Sequence, residues 1–227
     1  ALCLVGVDLS KKIDLTALAY VFVLKDGRIA ISAHGFMPEA AVDMHEKTDK
    51  IPYRDWAKAG WLTITSGDVT DYARLQEQIR LLDGTIQLTD LAKTRWIARH
   101  YAIGNGWKIH QICYDPYNAT HFKNEMDDDG YKTIEVRQTM RELNEPTKFF
   151  RDQVADRKLI HDGSPLFTWC VGNAQEIVDT KENIMLSKKK SKDTRRIDLL
   201  AAAIDALYQI EDLRLQVEIS NTDDIGF

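Results

Sequence analysis

Residues 2–10 read LCLVGVDLS, an apolar run that contains one charged residue, Asp8. A second run, IHQICYDPYNAT at residues 109–120, also carries a single acid, Asp115. Runs of this length and composition are typical of buried β-strands. Each acid therefore lies where a predicted buried strand ends, and Pro116, which cannot donate a backbone hydrogen bond, ends the pairing of the second strand.

A third acid lies near the start of a predicted helix. Residues 193–207 read DTRRIDLLAAAIDAL, and Asp198 opens their amphipathic part. A buried carboxylate is costly unless it is neutralised, and two carboxylates about 4 Å apart repel by roughly 4 kcal/mol at an effective dielectric constant near 20. A bound divalent cation converts this repulsion into attraction, and hard oxygen ligands favour Mg²⁺ or Mn²⁺. The three acids thus predict an all-carboxylate metal site.

The order of predicted elements is that of an α/β fold. The chain opens with a three-stranded meander, in which KDGR at 25–28 is typical of a tight hairpin turn. Residues 38–70, which contain Pro38, Pro52, Gly60 and Gly67, have an irregular pattern, and their length predicts an ordered excursion with a short helix at 53–59. The predicted strands are 2–9, 15–24, 29–37, 108–114 and 131–136, and a further β-hairpin at 174–187 pairs 174–178 with 183–187. The predicted helices are 71–82, 88–103, 118–128, 138–157 with an interruption at Pro146, and 195–212.

The connection between strands decides where the acids meet. A strand–helix–strand passage requires a right-handed crossover and a parallel pair. The simplest arrangement places strand 108–114 beside strand 2–9 in the same direction, so that Asp8 and Asp115 share one C-terminal edge. Open α/β sheets bind ligands at that edge. The last helix can then cross the sheet and present Asp198 from its first turn.

Composition excludes some classes of protein. The chain has 227 residues, of which 44% are apolar and 29% charged, as in ordinary globular proteins. No segment approaches the ~18 apolar residues needed to span a bilayer, so we expect no membrane partner. Three widely spaced cysteines without CxxC favour a reducing cytoplasm and argue against a zinc site. The chain starts at Ala1 without a basic n-region and runs straight into a strand, so we expect a fragment of a longer protein without a signal peptide.

Positive charge is local. The net charge of −5 does not by itself indicate a nucleic-acid partner. Residues 188–196, KKKSKDTRR, hold six basic side chains and one acid, and they lead directly into Asp198. A loop of this kind either is a solvated turn or contacts a phosphate backbone without regard to sequence. The candidate DNA-binding residues are Lys188, Lys189, Lys190, Lys192, Arg195 and Arg196.

These residues and their order resemble the ribonuclease-H-like nuclease superfamily, and within it the nuclease domain of the large terminase subunit of tailed bacteriophages. The resemblance covers nearly the whole chain. It is carried by GVDLSKKIDLTAL (6–18), IPYRDWAKAGWLTITSGDVTDY (51–72), ICYDPYNAT (112–120), VRQTM (136–140) and RRIDLLAAAIDAL (195–207).

The resemblance implies a ribonuclease-H-like mixed sheet of about five strands, an antiparallel meander plus parallel strands, flanked by helices. Residues 1–213 would form the nuclease domain and 214–227 a polar C-terminal tail. The family's acidic triad maps onto Asp8, Asp115 and Asp198. It implies an endonuclease that cuts concatemeric double-stranded viral DNA during packaging in the cytoplasm of the infected bacterial host.

The chemistry expected of such a site is two-metal phosphodiester hydrolysis. Two divalent ions, Mg²⁺ or Mn²⁺, about 3.5–4 Å apart, activate water and neutralise the leaving oxygen. Asp8, central in the sheet, would bridge both ions, and Asp115 and Asp198 would each hold one. The implied partners are the terminase ATPase domain, the small terminase subunit and the portal. The sequence has no GxxxxGK[ST] motif, so we expect no ATPase motor in it.

Each candidate also has a simpler interpretation. Asp8 and Asp115 can begin turns, and a first-turn acid such as Asp198 is favoured by the helix dipole. Asp205 falls on the same helical face as Asp198 and is a possible accessory acid, although an exposed position is the simpler expectation. His121 is the one histidine near Asp115. Trp56 and Trp61 either pack in the excursion or flank a DNA groove.

Three other functions remain compatible with the pattern. A resolvase or transposase-like enzyme would use the same carboxylates on a different DNA shape, although the Tyr-Arg-Asp-Trp segment at 53–56 favours the terminase. A non-catalytic docking module of the packaging motor would not require all three acids. An actin-like nucleotide-binding domain would require glycine-rich phosphate loops, and none lies near Asp8.

Overall fold

The computed structural model describes residues 1–10, 14–85, 107–188 and 195–223. The predicted helix at 88–103 lies outside the described residues, as do Lys189, Lys190 and Lys192 of the basic loop. No helix within the described ranges is long and apolar enough to cross a membrane.

A mixed sheet forms the centre of the described fold. Its strand order is β4-β3-β2-β1-β5-β6, with β7 paired to the other part of β3. The pairs β1–β2 and β2–β3 are antiparallel, and the pairs β1–β5, β5–β6, β3–β4 and β3–β7 are parallel. The strands of this sheet are β1 (Leu2–Asp8), β2 (Thr16–Val23), β3 (Ile29–Pro38), β4 (Leu62–Thr65), β5 (Lys108–Tyr114), β6 (Thr133–Glu135) and β7 (Leu159–His161). The predicted mixed sheet, with its meander and parallel strands, is confirmed.

The described helices surround this sheet. They are α1 (Glu39–Asp49), α2 (Tyr53–Lys58), α3 (Tyr72–Asp83), α4 (Thr120–Asp128), α5 (Met140–Ala155), α6 (Pro165–Asn173), α7 (Asp198–Leu207) and α8 (Ile210–Asp223). A separate antiparallel hairpin consists of β8 (Ala174–Val178) and β9 (Ile184–Lys188), as the sequence predicted.

Both faces of β1 are buried, which explains its unbroken apolar sequence. Cys3, Val5 and Val7 pack in a core cluster with α3 and α4. Leu4 belongs to the main core cluster, on the opposite face, which includes residues of α5, α6, α7 and α8. The alternation of a β-strand therefore divides β1 between two cores, and α7 covers the face that Leu4 shares with Gly6 and Asp8.

The excursion at 38–70 is ordered, as expected, and contains more structure than the predicted short helix. It forms α1, α2 and the edge strand β4, which pairs with the end of β3. Tyr53, at the start of α2, is fully buried in the main core cluster. The excursion thus extends the sheet and contributes to the core beside it.

Helix α5 is continuous through Pro146, whereas the sequence predicted an interruption there. An interior proline costs about 3 kcal/mol. Burial of Leu143 and Phe150 on the same helix face offsets this cost, and Thr139 caps the helix by accepting a hydrogen bond from the Glu142 amide. Tertiary packing therefore keeps the helix intact.

The C-terminal segment differs most from the prediction. Instead of one helix at 195–212 and a loose polar tail at 214–227, the structure has α7 and then α8, which runs through Asp223. The spacing of Ile210, Leu213 and Val217 forms an apolar stripe, and Ile210 and Leu213 are buried in the main core cluster. The prediction of a loose tail is wrong for residues 214–223 because this stripe has a core to pack against.

Candidate metal-dependent active site

Asp8 and Asp115 occupy equivalent positions on neighbouring parallel strands. The β1–β5 register pairs Val7 with Tyr114, and the residue that follows each of them is an acid, Asp8 or Asp115. Asp8 is also paired with Ala17 of β2. The predicted juxtaposition of the two acids at the C-terminal edge of the sheet is therefore confirmed at the level of backbone register.

Both acids lie on the sheet face that α7 covers. Asp8 follows Gly6 by two residues, and a β-carbon on Gly6 would lie 1.7 Å from the carbonyl oxygen of Ala202 in α7. Asp115 follows Cys113 by two residues, and Cys113 belongs to the same core cluster as α7. Because side chains alternate along a strand, both carboxyl groups belong to the helix side of the sheet edge.

A short turn orients Asp115. Its Oδ1 accepts a hydrogen bond from the backbone amide of Tyr117 at 3.0 Å, which closes an Asx turn after the strand. Burial raises the pKa of Asp115, and the hydrogen bond from Tyr117 partly opposes this rise. A carboxylate that is disfavoured by burial gains more from a bound cation than one in water.

Asp198 is the first residue of α7 and is 4% exposed. Arg196, two residues earlier, contacts the carboxylate of Asp14 in the turn that leads from β1 to β2. The start of α7 therefore lies at the edge where β1 ends. Strand register thus places Asp8 and Asp115 at that edge, and Asp198 opens a helix whose preceding residues contact the turn after β1.

Asp205 is buried, and the expectation of an exposed side chain is wrong. It is 1% exposed, and its Oδ1 accepts a hydrogen bond from Gln138 Nε2 at 3.0 Å. Its Oδ2 is buried and has no hydrogen-bond partner among the described residues. Burial raises the pKa of Asp205 well above its ordinary value, the hydrogen bond lowers it, and the negative charge of Asp115 raises it further. Asp205 thus lies close enough to Asp115 to feel its charge.

Sequence reasoning missed Tyr72, which lies beside the site. Its hydroxyl donates a hydrogen bond to the carbonyl oxygen of Ser10 at 3.0 Å. Burial raises its pKa, and the negative charge of Asp8 adds to the rise. The signal in the sequence was the tyrosine that ends the segment 51–72.

The structure describes only some residues of the basic loop at 188–196. Lys189, Lys190 and Lys192 lie outside the described residues, and the structure does not describe the side chain of Lys188. Arg195 is partly buried. Arg196 is 4% exposed and engaged by acidic partners, so the prediction that it contacts DNA is wrong, because a phosphate cannot reach a buried guanidinium.

The remaining candidates, Trp56, Trp61 and His121, contact neighbouring residues of the fold. Trp56 packs against Tyr53 and Trp169, with ring centroids 6.0 Å and 6.3 Å away. Trp61 packs against the core cluster formed with α3 and α4. His121 is exposed and lies 3.3 Å from Glu125 one turn along α4. Of the two interpretations of the tryptophans, packing is therefore the one that the structure favours.

The donor set fits a hard divalent cation. Asp8, Asp115 and Asp198 offer carboxylate oxygens alone, which Mg²⁺ and Mn²⁺ prefer over nitrogen or sulfur. Within the described ranges, no three His, Cys, Asp or Glu side chains are grouped closely enough to hold a metal ion. The assignment of the triad as metal ligands therefore stays a prediction, supported by donor chemistry and by the shared sheet edge.

Comparison with known proteins gives one family. The family model that matches is described as the terminase large subunit, endonuclease domain, and it covers residues 1–212. The large terminase subunit of Enterobacteria phage HK97 is 28% identical over 199 residues, which are 87% of this chain and 35% of that protein. Protein YmfN of Escherichia coli (strain K12) is 22% identical over 223 residues, 92% of this chain and 44% of that protein. The chain thus spans less than half the length of these curated relatives.

Solved structures share the fold. The HK97 bacteriophage large terminase superposes with a TM-score of 0.72 at 23% identity, over 90% of this chain and 38% of that one. The large terminase nuclease of the thermophilic phage G20c gives a TM-score of 0.51 at 10% identity, over 92% of this chain and 82% of that one. At these identities the likeness establishes the fold alone.

Proposed function

This chain belongs to the family of terminase large subunit endonuclease domains, and from that membership we propose that it is a metal-dependent endonuclease which cuts concatemeric double-stranded viral DNA during genome packaging. The observation that supports the catalytic part most directly is the β1–β5 register, since it brings Asp8 and Asp115 to one sheet edge. A fold alone would not require acids at both positions.

The residues that would hold two divalent ions, Mg²⁺ or Mn²⁺, are Asp8, Asp115 and Asp198. Bound there, the ions supply Lewis acidity, which lowers the pKa of a water molecule and neutralises charge on the phosphate. The protein's own contribution is orientation. Asp8 is held by pairing with Ala17 of β2 and follows Val7, which pairs with β5. Asp115 is held by the amide of Tyr117, and Asp198 by the first turn of α7.

Neighbouring side chains hold the backbone and the buried acid beside these carboxyl groups. Tyr72 closes the turn after β1 by donating to Ser10. Gln138 holds Asp205 beneath the same edge. The chemistry needs no protein nucleophile, because water attacks the phosphorus. We therefore assign these residues to binding and orientation rather than to covalent catalysis.

The substrate and partners follow from the family. We propose double-stranded DNA as substrate, and the terminase ATPase domain, the small terminase subunit and the portal as partners, in the cytoplasm of an infected bacterial host. We also propose that residues 1–213 act as the nuclease domain, extended by the rest of α8.

Plasmid cleavage tests the catalytic proposal. The purified chain should nick and linearise supercoiled plasmid with Mg²⁺ or Mn²⁺, and EDTA should abolish cleavage. Asp8→Asn should remove activity while its circular dichroism spectrum stays that of the wild type, because the substitution removes charge without changing volume. Asp26→Asn is the matched control, since Asp26 is an exposed acid in the β2–β3 turn, at the opposite edge of the sheet.

Three outcomes would contradict the proposal in different ways. Full activity of Asp8→Asn would remove this acid from the site. Lack of cleavage by the wild type with both metals would favour a docking module. Cleavage of a four-way junction in strong preference to linear duplex would favour a resolvase.

A further inference from the structure

A buried arginine lies beside the candidate site and has no part in the chemistry proposed above. Arg196 Nε lies 3.1 Å from Asp49 Oδ2, and its Nη2 lies 2.6 Å from Nδ1 of His45. Nη1 contacts the carboxylate of Asp14. One guanidinium thus joins the end of α1 to the turn that follows β1, and Arg196 itself lies two residues before the start of α7.

The interior of this cluster is closed to solvent. The side chain of Asp49 is fully buried, and its Oδ2 also accepts a hydrogen bond from the hydroxyl of Tyr53 at 2.8 Å. Burial lowers the pKa of Arg196, and the charge of Asp198 opposes that fall. A buried charge is retained only where opposite charges and hydrogen bonds compensate its desolvation. The arrangement of Tyr53, Asp49 and Arg196 therefore specifies one geometry.

Arg196 is also held through its backbone, by a contact separate from those of its guanidinium. The backbone carbonyl of Arg196 accepts a hydrogen bond from Asn173 Nδ2 at 3.0 Å. Ile197, the N-cap of α7, provides no side-chain cap. Because the helix lacks the usual capping side chain, its start is located by what holds Arg196.

We propose that Arg196 is a positioning residue that sets the spacing between the segment carrying Asp8 and the start of α7 carrying Asp198. This inference rests on the proposed metal-dependent function, and it gives the segment Tyr53-Arg54-Asp55-Trp56 a role: Tyr53 holds Asp49, and Asp49 holds Arg196. Partners that orient metal ligands commonly affect metal affinity by roughly 10- to 100-fold.

The central test is Arg196→Lys in the full chain. Lysine keeps the charge but is a point donor without the planar fork that serves several partners at once. We expect Arg196→Lys to fold, and to bind Mn²⁺ in the absence of DNA about 10-fold or more weakly than the wild type, measured by electron paramagnetic resonance of free Mn²⁺. At saturating Mn²⁺ much of the cleavage rate should return, because Arg196 does not touch the substrate.

Two further variants separate positioning from loss of stability. Arg80→Lys is the matched control, since Arg80 pairs with Asp129 at 2.7 Å through Nε and joins α3 to the end of α4. It should lose a little stability and keep wild-type Mn²⁺ affinity. Asp14→Asn removes the charge that pairs with Arg196 in the turn after β1 while it keeps an acceptor for the Leu15 amide, and it should weaken Mn²⁺ binding in the same direction as Arg196→Lys. Wild-type Mn²⁺ affinity in both Arg196→Lys and Asp14→Asn would overturn the inference.

Hydrogen exchange without metal keeps this inference distinct from the function on which it rests. In Arg196→Lys, amides in the peptide that contains Asp14 and in the peptide that contains Asp198 should lose protection together, and Arg80→Lys should leave both unchanged. If the wild type bound no Mn²⁺, the proposed function would fail, while joint loss of protection would still support the positioning role of Arg196. Loss of protection in only one of the two peptides would contradict the positioning role of Arg196 even in an active nuclease.

Discussion

Gly6 of β1 lies directly against Ala202 of α7: a β-carbon on Gly6 would be 1.7 Å from the Ala202 carbonyl oxygen and 2.9 Å from the Ala206 amide nitrogen. The obstructing atoms belong to the helix backbone, so rotation of a side chain cannot relieve the clash. Asp8 lies two residues further along the same strand. Close approach of α7 to the sheet therefore depends on the absence of a side chain beside the candidate site.

Gly6→Ala should severely destabilise the protein. The added methyl group forces α7 away from β1, and overpacking of this kind costs typically about 1–3 kcal/mol and occasionally more. Urea denaturation should show the loss. The control is Gly172→Ala in α6, where a β-carbon meets nothing within 4 Å and alanine favours the helix by roughly 0.5–1 kcal/mol. Equal stability of Gly6→Ala and the wild type would show that α7 does not pack as described.

The part of the site that was predictable depends on local sequence. Asp8 and Asp115 each end an apolar run, and a strand–helix–strand order requires a parallel pair, so their register could be expected without coordinates. The order of the meander and of the hairpin β8–β9 followed from turn residues in the same way. These features are encoded within a few neighbouring residues.

The parts that sequence did not predict depend on distant partners. Arg196 looked like a DNA-binding residue because it belongs to a basic run, yet it is buried, and ion pairs with Asp14 and Asp49 compensate its charge. Asp205 looked exposed because it is charged, yet Gln138, far away in sequence, makes a buried position tolerable. Local charge density reports composition, whereas burial is decided by which elements pack together.

Asp205→Asn should change how stability depends on pH. Because burial raises the folded-state pKa of Asp205 above its unfolded value, the folded protein holds a proton where the unfolded chain has released it. Stability contributed by this group is therefore fully present below the unfolded pKa and is lost as pH rises. Asparagine cannot ionise, so the free energy of unfolding of the variant should gain on the wild type between about pH 5 and pH 8 in EDTA.

Urea titrations across that range measure the difference. The asparagine side chain of this variant retains an acceptor for Gln138, so the two proteins should be most alike at low pH. Asp26→Asn is the control, because hydrogen bonds from Arg28 lower the pKa of Asp26 and its effect lies at acidic pH with the opposite sign. A difference between Asp205→Asn and the wild type that is constant with pH would mean that Asp205 is equally ionised in the folded and unfolded states across this range, which would contradict the raised pKa.

Leu213→Ala should test whether α8 is part of the core. Leu213 is fully buried and Leu215, two residues later in the same helix, is 53% exposed. Truncation of a buried leucine costs about 2–5 kcal/mol, whereas a surface change stays within about 0.5 kcal/mol. Thermal unfolding of Leu213→Ala and Leu215→Ala should therefore differ strongly. Equal melting temperatures would restore the expectation of a loose tail after residue 213.

DNA must approach a protein of net charge −5, and the basic loop at 188–196 offers it local positive charge. Replacing Lys188, Lys189, Lys190 and Lys192 with alanine should weaken DNA binding and flatten its dependence on salt. Each lost phosphate contact removes about 0.9 from the slope of log affinity against log salt concentration, so the loss of four contacts would remove roughly 3.6. Filter binding at several salt concentrations measures the slope.

The control must change net charge equally without touching the loop. Alanine at Lys25, Lys47, Lys58 and Lys181, four exposed lysines outside that loop, provides it. A counterion-release effect belongs to contacts and not to total charge, so the control should keep most of the wild-type slope. In the loop variant the cleavage that remains should still require Mg²⁺ or Mn²⁺, because the three acids are untouched. If the two quadruple variants gave the same slope, the loop would be a solvated turn, and DNA would reach the sheet edge by a different surface.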